Sequence, residues 1–209
     1  AAVCRERGVV TLIDGAHAPG MLDLDLPSLG VDYYVGNLHK WAMAPRSCAI
    51  LWVAPERQAG LKPVVISWGY LLGMSAEFDL PGTRDPGPFL AAPAGLAFMQ
   101  ELGLDAMRRH NHDLVWRAAR SFTQAWGTSI PAAESMYGSM VTIPLPERFG
   151  TQPEAAMRIK DALLFDHAIE AQMHAFEGRI YTRLAAPVYN DDSDFERMFT
   201  TLEKLGQAG

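Results

Sequence analysis

The sequence predicts an α/β protein in two parts, a partial sheet domain followed by a smaller α+β domain. Two observations lead to this prediction: three short apolar runs precede a long helical stretch, and strands alternate with helices again after it. The length of 209 residues suits one large domain or two small ones. We place the domains at 1–108 and 109–209, with the boundary inside a helix.

The three apolar runs predict the strands of the first domain. Residues 9–13 form a continuous β-branched and apolar run, which is typical of a strand buried on both faces of a parallel sheet. A second run covers 31–36, and the connection between the two runs is long enough for parallel pairing. The third run, 48–53, completes the predicted sheet, which we expect to be mostly parallel.

The rest of the chain predicts one long irregular segment and then regular elements. Residues 61–88 are rich in proline and glycine and show no sustained period, which is typical of a functional loop. Helical periodicity covers 89–126 and is interrupted at Gly103. The second domain is expected to contain strands at 136–143, 172–176 and 178–184, and helices at 153–165 and 191–205.

The composition favours a small molecule as the partner. The chain carries 18 Lys+Arg and 24 Asp+Glu, so its net charge is −6, and no basic cluster predicts binding to nucleic acid or to an anionic membrane. No apolar stretch reaches the ~18 residues of a membrane-spanning helix. Cys4 and Cys48 lack metal-ligand spacing, which predicts a reducing compartment, the cytoplasm, and no metal site.

Polar side chains follow the first two predicted strands, at the point where each strand ends. Asp14 and His17 come after the first strand, and Asn37, His39 and Lys40 come after the second. Because ligands of open α/β sheets bind outside the carboxyl ends of the strands, we expect these groups to line one crevice. A lysine near other cationic groups loses its proton more easily and becomes a nucleophile towards carbonyls.

A nucleophilic lysine and a carboxylate in one crevice together indicate a specific cofactor. Lys40 can form a Schiff base, and Asp14 can hold a protonated ring nitrogen. These two groups are the minimal protein contribution to the chemistry of pyridoxal 5'-phosphate. The sequence therefore predicts this cofactor and an amino-acid substrate.

Two motifs carry a resemblance to a known family. Residues 14–20, Asp-Gly-Ala-His-Ala-Pro-Gly, and residues 36–41, Gly-Asn-Leu-His-Lys-Trp, resemble class V of the fold type I pyridoxal-phosphate enzymes, most closely the isopenicillin N epimerase-like group. The segments 81–86 and 183–190 also have counterparts there. The resemblance covers the whole chain. It implies the C-terminal part of a fold type I large domain followed by a small α+β domain, with the N-terminal part of the family's fold lacking.

The resemblance implies a role for each polar residue of the crevice. Lys40 would form the Schiff base and move the α-proton of the substrate, and Asp14 would pair with the pyridinium nitrogen. His17 stands where many relatives have Gln and would bond the phenolic oxygen of the cofactor. Asn37, at a position that is often Ser, would contact the phosphate together with His39.

Two further residues are implied by resemblance alone. Thr83 would reach the phosphate of a neighbouring subunit's cofactor, which implies a homodimer with shared active sites. Arg183 would clamp the substrate carboxylate in a bidentate fork, with Arg179 as the alternative clamp.

Simpler interpretations stay open for several of these residues. Asp14 beside Gly15 is also typical of a turn residue that caps its own backbone. Asp14, His17 and His39 are acceptable zinc ligand types, although their spacing does not favour a metal site. We interpret Trp41 and Tyr34 as packing residues.

The expected function is a transformation of an amino acid that depends on pyridoxal phosphate, of the epimerase or aminotransferase type, through a carbanion. A carbon–sulfur lyase of the same family is an alternative. Cysteine desulfurase is disfavoured because Cys48 lies in a strand predicted to be buried and Cys4 precedes the first strand. A second alternative is a catalytically incomplete fragment with a structural or dimerisation role, since the first eight residues read as the end of a helix that stops at Gly8.

Overall fold

The computed structural model describes residues 1–80 and 82–207 of the chain. The chain divides into two compact units, Ala1–Leu104 and Asp105–Gly209. Each unit has a three-stranded sheet of its own. The division between the units lies just before the sequence-based boundary at 108 and, like that boundary, falls at a helix.

The first unit contains one small sheet and a set of mostly short helices. Its elements are α1 (Ala2–Glu6), β1 (Leu12–Asp14), α2 (Leu26–Leu29), β2 (Tyr33–Asn37), β3 (Ala49–Val53), α3 (Pro55–Gln58), α4 (Met74–Asp79) and α5 (Gly87–Leu102). The strand order is β1-β2-β3. The three strands expected from the apolar runs are therefore confirmed, although β1 begins three residues later than predicted.

The first strand differs from its prediction in one respect. All three residues of β1 are exposed, so the prediction that this strand is buried on both faces was wrong. The reason is its place in the sheet: β1 lies at the edge, pairing with β2 on one side, and Val9 and Val10 lie outside the strand and are exposed as well. An apolar run shows that a strand prefers burial, but burial itself depends on what covers the strand.

The pairing directions also differ within this sheet. β1 and β2 are parallel, with Leu12 opposite Tyr33, whereas β2 and β3 are antiparallel, with Asn37 opposite Ala49. The connection 38–48 contains no helix. Because a parallel connection needs a crossover of about a dozen residues or more, usually helical, this short loop returns the chain in the opposite direction.

The segment 61–88 is mostly irregular, as predicted, but it is organised around one buried carboxylate. Glu77 on α4 is fully buried. Its Oε1 accepts hydrogen bonds from Lys62 Nζ at 2.7 Å and from the Leu71 N–H at 3.0 Å. Its backbone carbonyl accepts one from Ser67 Oγ at 2.7 Å. Several apolar side chains of the same segment are exposed, namely Val64, Val65, Ile66, Trp68, Leu71 and Leu72.

The predicted helical stretch 89–126 is confirmed as two helices with a break at Gly103. α5 is followed by Gly103 with φ 84°, a backbone conformation that favours glycine, and α6 (Leu104–Trp126) begins at the next residue. Only Ala92 and Met99 of α5 are buried in the described part of the chain.

The second unit contains the later part of the chain. Its elements are α6, β4 (Met140–Pro144), α7 (Pro153–Asp161), β5 (Gln172–Phe176), β6 (Arg179–Ala185) and α8 (Asp192–Gln207), and a π-helical turn, Ala162–Asp166, continues α7. The strands are antiparallel in the order β4-β6-β5. The strands and helices predicted for this part are all confirmed, with ends that differ by a few residues.

The core of the second unit lies between its helices and its sheet. Leu114, Val115 and Phe122 recur at helical spacing on α6 and are buried together with Ile143 of β4 and Leu202 of α8. Aromatic rings join the helices, because Phe122 lies 5.0 Å from Phe199 between ring centroids. Over the residues that the structure describes, no helix is both long enough and apolar enough to cross a bilayer.

Candidate active site

The ends of β1 and β2 place the first predicted site residues at one edge of the sheet. Because the two strands are parallel, Asp14 ends β1 at the same edge where Asn37 ends β2. The turn after β1 is bound to β2 by two backbone hydrogen bonds, from the Gly15 N–H to the Val35 carbonyl at 2.8 Å and from the Asn37 N–H to the Ala16 carbonyl at 3.4 Å. The sheet edge therefore holds the two motifs together.

Asp14 serves as a turn residue at this edge. Its Oδ1 accepts a hydrogen bond from the Ala16 N–H at 3.0 Å, which fixes the carboxylate over its own turn. The side chain is exposed, and it borders a depression of about 300 Å³. That depression is lined by Asp14, Gly15, Ala16, His17, Ala18 and Met21. The turn interpretation is thus correct for one oxygen, and it leaves the carboxylate beside a surface that can accept a ligand.

Tyr34 forms the floor of this turn. It is buried, and its hydroxyl donates a hydrogen bond to the Gly15 carbonyl at 3.1 Å. A Cβ atom on Gly15 would lie 2.2 Å from the Tyr34 hydroxyl oxygen, so only glycine fits over the ring. Burial, and secondly the negative charge of Asp14, raise the pKa of Tyr34. The interpretation of Tyr34 as a packing residue agrees with this position.

Lys40, His17 and Trp41 form a short hydrogen-bonded chain. Lys40 Nζ lies 3.1 Å from His17 Nε2, and the Trp41 indole N–H donates to His17 Nδ1 at 3.2 Å. Lys40 is exposed, whereas His17 and Trp41 are half-buried. Gly15 of the first motif and Asn37 of the second are 22 positions apart in sequence. In the fold, side chains of the two motifs contact each other. These hydrogen bonds place the Lys40 amine next to the His17 imidazole, which can carry a proton.

His39 belongs to the loop after β2 and is held by the backbone. Its Nδ1 donates to the Cys48 carbonyl at 3.0 Å, and the same oxygen accepts the Leu38 N–H at 3.0 Å. Both bonds close the loop 38–48 around Lys40. Cys48 itself is buried, and burial raises the pKa of its thiol.

The two residues that were assigned by resemblance alone lie on other elements of the chain than the ends of β1 and β2. Thr83 is exposed in the segment between α4 and α5, and Pro81, the first residue of its motif, lies outside the described residues. Arg183 lies on β6 of the second unit, opposite Thr142 and Gln172. Its alternative, Arg179, is exposed at the start of the same strand.

Arg183 borders a cavity in the second unit. The cavity has a volume of about 470 Å³, and polar side chains contribute to its lining together with Arg183, namely Glu170, Gln172, Tyr189, Asn190, Asp194 and Arg197. Arg183 is half-buried there. Arg183 therefore belongs to a concave surface of the second unit.

Trp41 is the residue of this site that sequence reasoning missed. We interpreted it as a packing residue, but its indole N–H binds His17. Its position next to Lys40 was the available indication, since a tryptophan adjacent to the candidate lysine brings a hydrogen-bond donor to the same sheet edge. Within residues 1–80 and 82–207, no group of three or more His, Cys, Asp or Glu side chains is arranged to hold a metal ion.

Comparison with known proteins identifies the family. The aminotransferase class-V family matches residues 1–157. The chain belongs to this family. It is 32% identical over 219 residues to isopenicillin N epimerase of Streptomyces clavuligerus, covering 96% of this chain and 54% of that protein. It is 29% identical over 223 residues to L-cysteine desulfhydrase of Arabidopsis thaliana, covering 97% of this chain and 49% of that protein.

Solved structures show the same fold. The cysteine desulfurase of Thermococcus onnurineus NA1 superposes with a TM-score of 0.78 and 20% identity, covering all of this chain and 55% of that one. The resemblance to class V of the fold type I enzymes and to isopenicillin N epimerase is therefore confirmed, and so is the α/β fold class. The chain spans about half the length of the relatives it matches.

Proposed function

We propose that this chain carries the reactive lysine of a pyridoxal-phosphate-dependent enzyme that transforms an amino acid at its α-carbon. The observation that supports this most is the approach of Lys40 Nζ to His17 Nε2, at 3.1 Å, on the same sheet edge as Asp14. Membership of the aminotransferase class-V family and the similarity to isopenicillin N epimerase support the same reaction class.

The residues present fit the cofactor by their chemistry. Pyridoxal phosphate needs an amine that can react with its aldehyde and a carboxylate for its ring nitrogen. Lys40 supplies the amine at an exposed position, and Asp14 supplies a carboxylate whose orientation is fixed by its own turn. When bound, the cofactor supplies an electron sink that stabilises negative charge at the α-carbon of the substrate.

The chain's own residues then have distinct tasks. Lys40 would hold the cofactor through Nζ, and once the substrate amine had displaced it there, the freed Nζ would carry a proton to or from the substrate. Asp14 would stabilise a positive charge on the ring nitrogen, and His17 would bind the phenolic oxygen. Asn37 and His39 hold the phosphate, with His39 already fixed by its bond to the Cys48 carbonyl.

Two tasks extend beyond the sheet edge. Thr83 contacts the phosphate of a neighbouring subunit, so the enzyme is a homodimer with shared sites. Arg183 binds the substrate carboxylate, which its guanidinium can grip with two parallel hydrogen bonds. Its half-buried position on a cavity wall supports this role better than the exposed position of Arg179 does.

A carbon–sulfur lyase is the second candidate, and the similarity to L-cysteine desulfhydrase favours it. Loss of sulfide from a carbanion requires no protein thiol. Desulfurase chemistry does require a thiolate, and the chain's two cysteines are poorly suited to it: Cys48 is buried with a raised pKa, and Cys4 lies in α1.

The lysine assignment is tested by adding pyridoxal phosphate to the full-length protein and reducing the adduct with borohydride. We expect visible absorbance and a stable mass increase on the Lys40 peptide. Lys40→Ala abolishes both, and Lys204→Ala, an exposed lysine of α8, is the matched control that keeps them. Absence of the adduct in the full-length protein would contradict the enzyme proposal. An adduct that forms in a longer chain containing these residues, but not in residues 1–209 alone, would support the incomplete-fragment alternative.

The reaction type is tested by incubating the full-length protein with candidate amino acids in D2O. Exchange at the α-carbon with inversion supports an epimerase, whereas release of sulfide from cysteine supports the lyase. For the accepted substrate, Arg183→Ala raises KM at least tenfold, because a bidentate charge-assisted contact is lost. Arg179→Ala leaves KM within about twofold, since exposed charges contribute little. The opposite ranking would move the carboxylate clamp to Arg179.

A further inference from the structure

We infer that Trp41 is a positioning residue that sets the proton of His17 on Nε2 and thereby favours the uncharged amine of Lys40. The role of Trp41 in catalysis rests on the proposed function, whereas its effect on His17 rests only on hydrogen bonds within this chain. The three residues form one chain of contacts, with Trp41 Nε1 at 3.2 Å from His17 Nδ1 and His17 Nε2 at 3.1 Å from Lys40 Nζ.

The first contact fixes the tautomer of His17. An indole N–H is a donor and never an acceptor, so His17 Nδ1 must offer its lone pair to Trp41. A neutral imidazole carries one proton, which then resides on Nε2. The half-buried position of both rings makes an unsatisfied donor costly and favours this arrangement over the alternatives.

The second contact transmits that choice to the lysine. With its proton on Nε2, His17 is a donor towards Lys40 Nζ, and only an uncharged amine has a lone pair to accept it. An ammonium has three donors and no acceptor, so Nε2–H and the ammonium would oppose each other. The uncharged amine is the form that attacks carbonyls.

Removing the indole N–H releases the constraint. Without it, His17 can carry its proton on Nδ1 and accept a hydrogen bond from the Lys40 ammonium through Nε2. The other titratable groups named at this edge, Asp14, Tyr34 and His39, hydrogen-bond to backbone atoms of Ala16, Gly15 and Cys48 and not to Trp41. Trp41 therefore acts on Lys40 through His17 and not through these groups.

His39 provides an internal reference with the opposite tautomer. Its Nδ1 faces the Cys48 carbonyl, which accepts and never donates, so a neutral His39 carries its proton on Nδ1. The two histidines that flank Lys40 in the fold thus present opposite polarity at Nε2. A measurement that reports both rings in one sample distinguishes a local effect of Trp41 from a general change of structure.

The tautomers are measured by long-range ¹H–¹⁵N spectra of the histidines, in the full-length protein without cofactor and at a pH where the rings are neutral. We expect His17 protonated on Nε2 and His39 on Nδ1. Trp41→Phe shifts His17 towards the Nδ1 form and leaves His39 unchanged. A His17 already protonated on Nδ1 in the wild type, or one indifferent to Trp41→Phe, would overturn the inference.

The charge of Lys40 is measured separately, by competitive labelling of amines with acetic anhydride and mass spectrometry. Since the change corresponds to about one hydrogen bond, Trp41→Phe should slow labelling of Lys40 roughly two- to tenfold at neutral pH. Lys204 in the same sample is the reference that does not change. In the His17→Ala background, Trp41→Phe should have no further effect, and a persisting effect would contradict transmission through His17.

Trp52→Phe is the matched control, because Trp52 lies on β3 of the same unit and receives the same substitution. It should alter neither the tautomer of His17 nor the labelling of Lys40. If the tautomer and labelling results are as expected but pyridoxal phosphate does not attach to Lys40, the proposed function fails and this inference stands. If the cofactor attaches but Trp41→Phe changes neither measurement, the inference fails and the function stands.

Discussion

The second unit encloses a continuous apolar core, whereas the first unit leaves much of its apolar surface exposed. In the second unit, α6, α8 and the sheet bury a single cluster that includes Phe122, Ile143 and Leu202. In the first unit, one cluster of buried residues comprises Ala44, Cys48 and Ala92, with Leu38 packed against it. Both units have a three-stranded sheet and similar length, so the difference lies in what covers their sheets and helices.

Polar side-chain contacts organise parts of the first unit. Glu77 binds Lys62 and the Leu71 N–H, and Asp32 binds Thr11 and Arg57. Such contacts fix geometry but add little net stability, because each replaces a hydrogen bond to water. The site residues all lie on this less self-sufficient unit except Arg183. Most candidate site residues thus lie on the unit with the more exposed apolar surface, and the continuous apolar core lies in the other unit.

Separating the two units gives the largest expected effect. Residues 105–209 alone should unfold cooperatively on heating, because their core is complete within the unit. Residues 1–104 alone should show no cooperative transition and should bind the dye ANS, because their apolar side chains are exposed. Circular dichroism melts and dye fluorescence measure both. A cooperative melt of residues 1–104 without dye binding would remove the distinction between the units.

Single leucine truncations should reproduce the difference on a smaller scale. Leu202→Ala in the second unit should lower the free energy of unfolding by about 2–5 kcal/mol, because Leu202 is fully buried. Leu90→Ala on α5 should change it by no more than about 0.5 kcal/mol, because Leu90 is exposed. Chemical denaturation of the full-length protein measures both. A large loss of unfolding free energy in Leu90→Ala would show that another surface covers α5.

The buried carboxylate should matter more than exposed ones in the first unit. Glu77→Ala should lower the free energy of unfolding by about 1–3 kcal/mol, because the Leu71 N–H loses its acceptor and Lys62 its partner. Glu101→Ala, an exposed position on α5, is the matched control with little expected effect. Equal losses in the two variants would mean that the segment 61–80 is not organised by Glu77.

The pH dependence of Asp32 should give the smallest effect. A hydrogen bond from the Thr11 backbone, and secondly one from Arg57, hold the pKa of Asp32 below its usual value. A lowered folded pKa stabilises the protein above the unfolded value of about 3.9, and this stabilisation is lost as the pH falls through the folded value. Asp32→Asn should therefore be less stable at pH 7, and its deficit should shrink below about pH 4. A deficit independent of pH would show that lost packing, and not charge, is the cause.

Periodicity predicted the second unit well because its elements are determined by their own cores. The spacing of Leu114, Val115 and Phe122 on α6 reports burial that the same unit completes. In the first unit the same logic located β1 but misjudged its burial, since an edge strand depends on what lies beside it. The direction of β3 depended on a loop, 38–48, whose path carries no periodic pattern.

The sequence predicts the residue types of the candidate site, but it does not predict side-chain contacts that form only when distant segments meet in the fold. The residue types of Asp14 and Lys40, each placed just after a predicted strand, indicate from the sequence alone that they share one edge of the sheet. The bond from Trp41 to His17 crosses 24 positions of sequence and depends on how the turn after β1 meets the loop after β2. The burial of Glu77 likewise depends on a segment that folds back on itself without periodicity.

Tyr34 makes the turn beneath Asp14 observable from within the protein. Its pKa is raised by burial and, to a smaller extent, by the negative charge of Asp14, so any cation that settles on that carboxylate weakens the second influence. Ring-labelled tyrosine followed by NMR through alkaline pH would show Tyr34 titrating earlier once Asp14 is neutralised. The pKa of Tyr34 thus reports the charge at this sheet edge, because it falls when a cation binds at Asp14, even if the cation does not contact the phenol.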